Sequence, residues 1–113
     1  MTKHNPAAII GMGCFFPKSS GIRQFWRLIF DGLDAVAEVP PTHWSAEDYY
    51  DENPDAPDRV YCKRGGFLPK VPFDPTEFGI PPSNLEATDT SQLLSLLAAK
   101  SALEHAGYRE SRE

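Results

Sequence analysis

Apolar positions fall into blocks with different periods. The first, Ala7 to Met12, is an unbroken apolar run with adjacent β-branched Ile9 and Ile10, and it closes on Gly11-Met12-Gly13. A run without polar alternation predicts a strand covered on both faces, the habit of parallel sheets, and the glycine pair predicts a turn after it. Past Pro17, the apolar residues Ile22, Phe25, Trp26 and Ile29 recur at helical spacing. Ser19 and Ser20 stand where N-caps belong and Gly32 stands where a helix stops.

The pattern then loses its period. Nine of the eleven prolines lie between Pro40 and Pro82, so this stretch predicts a long excursion without extended helix. Within it, Gly65 to Leu68 reads as a short strand. From Ser83 a period returns. Ser83 and Glu86 match a capping box, and Leu93, Leu94, Leu96, Leu97, Ala98, Ala99, Ala102, Leu103 and Ala106 cover most sides of a helix that Gly107 ends. Such a helix wants burial on more than one side.

Composition narrows the class of function. The 113 residues suit one small domain or a piece of a larger one, and 41% hydrophobic content with seven Phe excludes a generally disordered polymer. A net charge of -5 and a pI near 5.1 exclude nucleic acid or an anionic membrane as the main partner, because both need a basic surface. No apolar run approaches the ~18 residues of a membrane span. Two distant cysteines and no signal-peptide pattern predict a reduced, cytoplasmic setting.

Candidate chemistry is sparse. Gly11 and Gly13 suggest a dinucleotide turn, but Phe16 stands where the third glycine of G-x-G-x-x-G belongs, and Lys18-Ser19 lacks the glycine of a P-loop. The run Glu47, Asp48, Asp51, Glu52, Asp55 and Asp58 lacks the Gly and Glu spacing of a calcium loop and reads as solvated, with Arg59, Lys63 and Arg64 turned to solvent or paired with it. Cys14, just past the strand, reads as a small buried thiol. Cys62, beside Lys63 and Arg64, has cations that would activate a thiol only if they faced it. His4, His43 and His105 are scattered and, with the cysteines, give no zinc spacing. The expected site inventory is therefore catalytic none, cofactor-binding none and metal none.

The opening AIIGMGCFFP, followed by IRQFWRLIFDGLDAVAEVPPTHW ending at Trp44, resembles the first strand, turn and helix of β-ketoacyl synthases (ketosynthases) of modular type I polyketide synthases. The block YCKRGGFLPKVPFDPTEFGIPPSNLEATDTSQLLSLLAAK, from Tyr61 to Lys100, resembles that family's Gly-Gly-Phe strand, Phe-Asp turn and leucine-rich helix. The resemblance spans residues 7–108, leaving short tails at 1–6 and 109–113. Where most modular ketosynthases carry Asp-Pro-Gln-Gln entering that helix, this chain has Asp89-Thr90-Ser91-Gln92. That departure, with the Tyr-Cys-Lys-Arg-Gly-Gly-Phe run, is more similar to the ketosynthases of bacterial polyunsaturated fatty acid synthases.

The resemblance implies an α/β class, the N-terminal part of a thiolase-like fold layered αβαβα and incomplete in this chain, which in the complete domain works as a homodimer. It implies a 3-oxoacyl-acyl carrier protein synthase, an acyltransferase. In it a cysteine accepts an acyl group from the phosphopantetheine of an acyl carrier protein, and two histidines support decarboxylative condensation with a malonyl thioester. That cysteine lies in a Thr-Ala-Cys-Ser-Ser segment with the histidines downstream of it, and Cys14, Cys62, His4, His43 and His105 match none of them. The expected function is a fragment of such a synthase that supplies scaffold alongside the other synthase domains. The alternatives are a non-catalytic interaction remnant and a truncated gene product.

Overall fold

The computed structural model describes residues 6–108. They form two compact units: one joins the chain up to Phe15 with the chain from Lys70 onward, and the other is the contiguous stretch Phe16–Pro69. Among the predicted segments, the tails 1–6 and 109–113 lie outside the described residues, Pro6 excepted.

The stretch Phe16–Pro69 opens with a tight turn. Phe16 and Ser19 exchange backbone hydrogen bonds of 3.2 and 2.9 Å around Pro17 and Lys18, and Lys18 takes a left-handed φ of 58°. Pro at the first corner and a positive φ at the second are the requirements of a type II turn. Helix α1 (Ile22–Phe30) follows, with Gly21 at its N-cap. Neither Ser19 nor Ser20 caps it. Instead the Gln24 side chain reaches back and accepts from the Ser20 amide and hydroxyl, each at 2.8 Å, while the Ser19 hydroxyl turns to the Gly21 carbonyl. Gln24, at the third helical position, thus holds the residue before the N-cap, and no side chain caps the helix itself.

The predicted stop at Gly32 is present in full. Gly32 has φ +61°, its amide donates to Ile29 at 3.2 Å, and the Leu33 amide donates to Leu28 at 2.9 Å. This is a Schellman ending, which a residue with a Cβ adopts only under strain. Phe25, on the apolar face, stacks on Phe16 with centroids 4.1 Å apart.

After α1 come β1 (Ala37–Glu38) and then, within the proline-rich excursion, the single-turn helix α2 (Ala46–Tyr49) and β2 (Arg64–Gly65). The strands are antiparallel, with Ala37 opposite Gly65 and Glu38 opposite Arg64, and the pairing extends to Val39, whose amide donates to Lys63 at 2.7 Å. The strand expected at Gly65 to Leu68 is thus centred a residue or two earlier, because the partner at Ala37–Glu38 sets its register. Glu47 and Asp48 of the acidic run lie on α2, and its remaining members Asp51, Glu52, Asp55 and Asp58 lie in a loop closed by a bridge between Tyr50 and Val60. The Asp51 carboxylate accepts from the Asn53 amide at 2.9 Å, and the Arg59 guanidinium donates to the Asp48 backbone carbonyl.

In the other unit, residues 7–12 do not form the expected strand. A strand exists only by pairing its backbone, and none of the described residues offers these residues a ladder. They run against helix α3 (Thr90–His105) on one side, and Ile9 and Ile10 stay 84% and 66% exposed. The expected burial on both faces is absent for the same reason.

The approach to α3 also differs from expectation. Ser83 and Glu86 do not form a capping box, since Pro81 and Pro82 start a 3-10 helix over Pro82–Ala87 and Thr88 leaves it in an extended conformation. The helix proper begins at Asp89, whose carboxylate accepts from the Ser91 amide at 2.7 Å and from the Ser91 hydroxyl. It ends as α1 does. Gly107 has φ +89°, its amide donates to Glu104 and the Tyr108 amide donates to Leu103, both at 3.0 Å. No residue of α3 is fully buried, and Leu103 is 56% exposed, so the predicted burial on several sides is not met.

Thr90 occupies the first helical position, where an amide has no partner within the helix, and Asp89 before it is extended at φ -62°, ψ 137°. Proline at position 90 therefore meets no backbone conflict. Thr90→Pro is expected to raise stability by about 0.4 to 1 kcal/mol through the unfolded state, read as increased helical circular dichroism at a given temperature. A loss of helicity would contradict this account of the cap.

Candidate functional site

Gly11 and Gly13 lie where the chain packs directly against α3, with no room for a side chain at either position. A Cβ on Gly11 would sit 2.2 Å from the Ala102 carbonyl oxygen and 2.8 Å from the Ala106 Cβ. A Cβ on Gly13 would sit 2.2 Å from the Ala98 carbonyl oxygen and 2.8 Å from the Ala102 amide nitrogen. In an extended segment, residues two apart share a face, and on a helix residues four apart share one. The two glycines therefore seat on Ala98, Ala102 and Ala106, where neither partner carries bulk. Met12, between them, donates its amide to His105 Nδ1 at 3.1 Å, which requires that nitrogen to be an acceptor and places any ring proton of the neutral imidazole on Nε2. The motif that suggested a nucleotide turn is a helix-packing device.

The sequence carried a signal for this that the apolar pattern concealed. Alanine at every fourth position from 98 to 106 is a groove of small residues, and the glycines at 11 and 13 supply the matching backbone.

The cysteines are placed unequally. Cys14 is half-buried and not fully enclosed, a correction to the sealed thiol that strand burial implied, since the segment is covered on one side only. Cys62 is exposed and its Sγ lies 3.4 Å from the Arg64 carbonyl. The cations beside it are engaged with other groups. The Lys63 ammonium lies 3.7 Å from Glu38 and 4.9 Å from the centre of the Tyr50 ring, and Arg64 lies 3.9 Å from Asp34. Both remain solvent-accessible, as one of the two expected alternatives had it, and the carboxylates they meet lie in and just before β1, not in the acidic run. Such solvent-accessible pairs add little to stability.

The histidines are dispersed: His43 meets Phe67 edge-on at 5.0 Å, His105 holds Met12, and His4 lies outside the described residues. Among the described residues, no three His, Cys, Asp or Glu converge on a point where a metal would bind. No helix among them is long and apolar enough to cross a membrane.

Two carboxylates have shifted acidity. The Ser91 hydroxyl, then the Ser91 amide, hold the Asp89 carboxyl below its usual range, and the Thr76 hydroxyl and amide do the same for Asp74. Asp74 caps the 3-10 helix Pro75–Phe78, and Phe78 stacks on Phe73 with centroids 5.1 Å apart. A depressed carboxylate stabilises the folded form fully above its unfolded pKa of about 3.9 and loses that contribution as pH falls through the lower folded value. Helicity is therefore expected to fall on acidification below about pH 4, and less so in Asp89→Asn, whose amide oxygen caps without titrating. An identical acid limb in the variant would remove Asp89 from this role.

Beside α3 an open groove of about 790 Å3 is lined by Phe78, Leu96, Leu103 and Tyr108, with Lys100 paired to Glu77 and Glu104 at its edge.

One unit is a glycine-bearing segment packed on a helix and the other carries a short hairpin, and the side chains singled out in each make structural contacts. The chain belongs to the β-ketoacyl synthase family: the model of its N-terminal domain matches residues 4–113. It is 43% identical over 104 residues to one component of the phenolphthiocerol/phthiocerol polyketide synthase of Mycobacterium tuberculosis, covering 90% of this chain and 6% of that protein. It is 38% identical over 100 residues to one component of the polyunsaturated fatty acid synthase of Thraustochytrium, covering 88% and 4%. The oxazolomycin ketosynthase domain of Streptomyces albus superimposes with a TM-score of 0.80 at 36% identity, over 86% of this chain and 17% of that one. The fold is thus the N-terminal part of a thiolase-like ketosynthase domain, and the chain spans a small fraction of the proteins it matches. Polyketide and polyunsaturated fatty acid synthases are both among its relatives, and of these two the polyketide synthase is the more similar, so the expected leaning toward the bacterial polyunsaturated type is not supported by these identities.

Proposed function

We propose that this chain serves as scaffold within a β-ketoacyl-acyl carrier protein synthase of polyketide or polyunsaturated fatty acid biosynthesis, and that it carries none of the condensing chemistry itself. The observation that supports this reading is the fate of the opening motif: Gly11, Gly13, Met12 and His105 are all used in seating one segment on α3. In the complete domain, which works as a homodimer, acyl transfer from a phosphopantetheine-bearing acyl carrier protein and decarboxylative condensation are the work of other segments, in a cytoplasmic synthase. A cysteine nucleophile needs a base or a cation directed at it, and Lys63 and Arg64 beside Cys62 face carboxylates.

Incubation with radiolabelled acyl-acyl carrier protein is expected to label neither Cys14 nor Cys62 above the rate of a denatured control. Faster native labelling of either thiol would overturn the scaffold reading. The second reading, a non-catalytic interaction remnant, is favoured by the 63% and 79% exposure of Trp26 and Phe30, one turn apart on α1.

A further inference from the structure

We draw no further inference here: the strongest candidate, the open apolar groove beside α3 lined by Phe78, Leu96, Leu103 and Tyr108, is an unpartnered face and nothing in the structure shows what covers it.

Discussion

Replacing Gly13 with alanine is expected to lift residues 7–15 off α3. The added Cβ meets the Ala98 carbonyl oxygen at 2.2 Å and the Ala102 amide nitrogen at 2.8 Å, and both are backbone atoms of a helix, so no side chain can swing aside. Overpacking of this kind costs about 1 to 3 kcal/mol where the surroundings can adjust, and a helix backbone adjusts poorly. Cys14, the next residue, reports the release. In ammonium sulfate, which strengthens apolar burial, maleimide modification of Cys14 is expected to accelerate severalfold in Gly13→Ala while exposed Cys62 keeps its rate. The Met12 amide, held by His105, should lose its hydrogen-exchange protection in parallel. Gly21→Ala is the control, since a Cβ there meets nothing within 4 Å and the residue has an extended φ of 172°. An unchanged Cys14 rate in Gly13→Ala would show that the close packing does not hold the segment.

The isolated chain is expected to lack a cooperative fold. Val39 is the one apolar side chain among the described residues that reaches full burial, whereas Ile9, Ile10, Trp26, Phe30, Tyr61 and Leu103 are each more than half exposed. Full burial of a large apolar side chain contributes about 1.5 to 3 kcal/mol, and ordering the backbone costs about 1 to 2 kcal/mol per residue. With so few side chains making the full contribution, the ordering cost wins. Net stability is only about 5 to 15 kcal/mol even in complete domains, and partial burial of this extent falls short of it. The expected result is a broad thermal melt, binding of a dye to exposed apolar surface, and oligomers or aggregates on sizing. A monodisperse monomer with a sharp two-state transition would overturn this expectation and make the interaction remnant the better functional reading.

What the sequence made legible was what local chemistry decides. Helix α1 followed from its apolar spacing, and the stops at Gly32 and Gly107 followed from the left-handed backbone that a Schellman ending requires. Features that depend on a distant partner were harder to read. Residues 7–12 have strand composition, but a strand needs a neighbour, and the described residues provide a helix instead. Lys63 and Arg64 are near the acidic run in sequence, yet the hairpin register assigns them to Glu38 and Asp34. At the start of α3, two local signals competed. The Ser83–Glu86 spacing was a valid capping box, and Pro82 together with the Asp89 cap made it unnecessary. The expectation that neither cysteine is the nucleophile rests on comparing motifs, because composition alone leaves both cysteines open.

Residues 17–66 form a detour whose ends nearly touch. A Cβ on Gly66 would lie 2.8 Å from the Pro17 ring, so the chain leaves at residue 17 and comes back beside it some fifty residues later. A detour with coincident ends is a loop in the polymer sense, and lengthening it costs only about 0.6 kcal/mol per doubling. Length can therefore change at little cost in the irregular loop that the Tyr50–Val60 bridge closes, which interrupts neither α1 nor the β1–β2 pairing, whereas the spacing of Gly11 and Gly13 tolerates no change in length. Insertions and deletions in this family's N-terminal region should gather in the loop between Tyr50 and Val60, leaving the glycine-alanine seam at constant register.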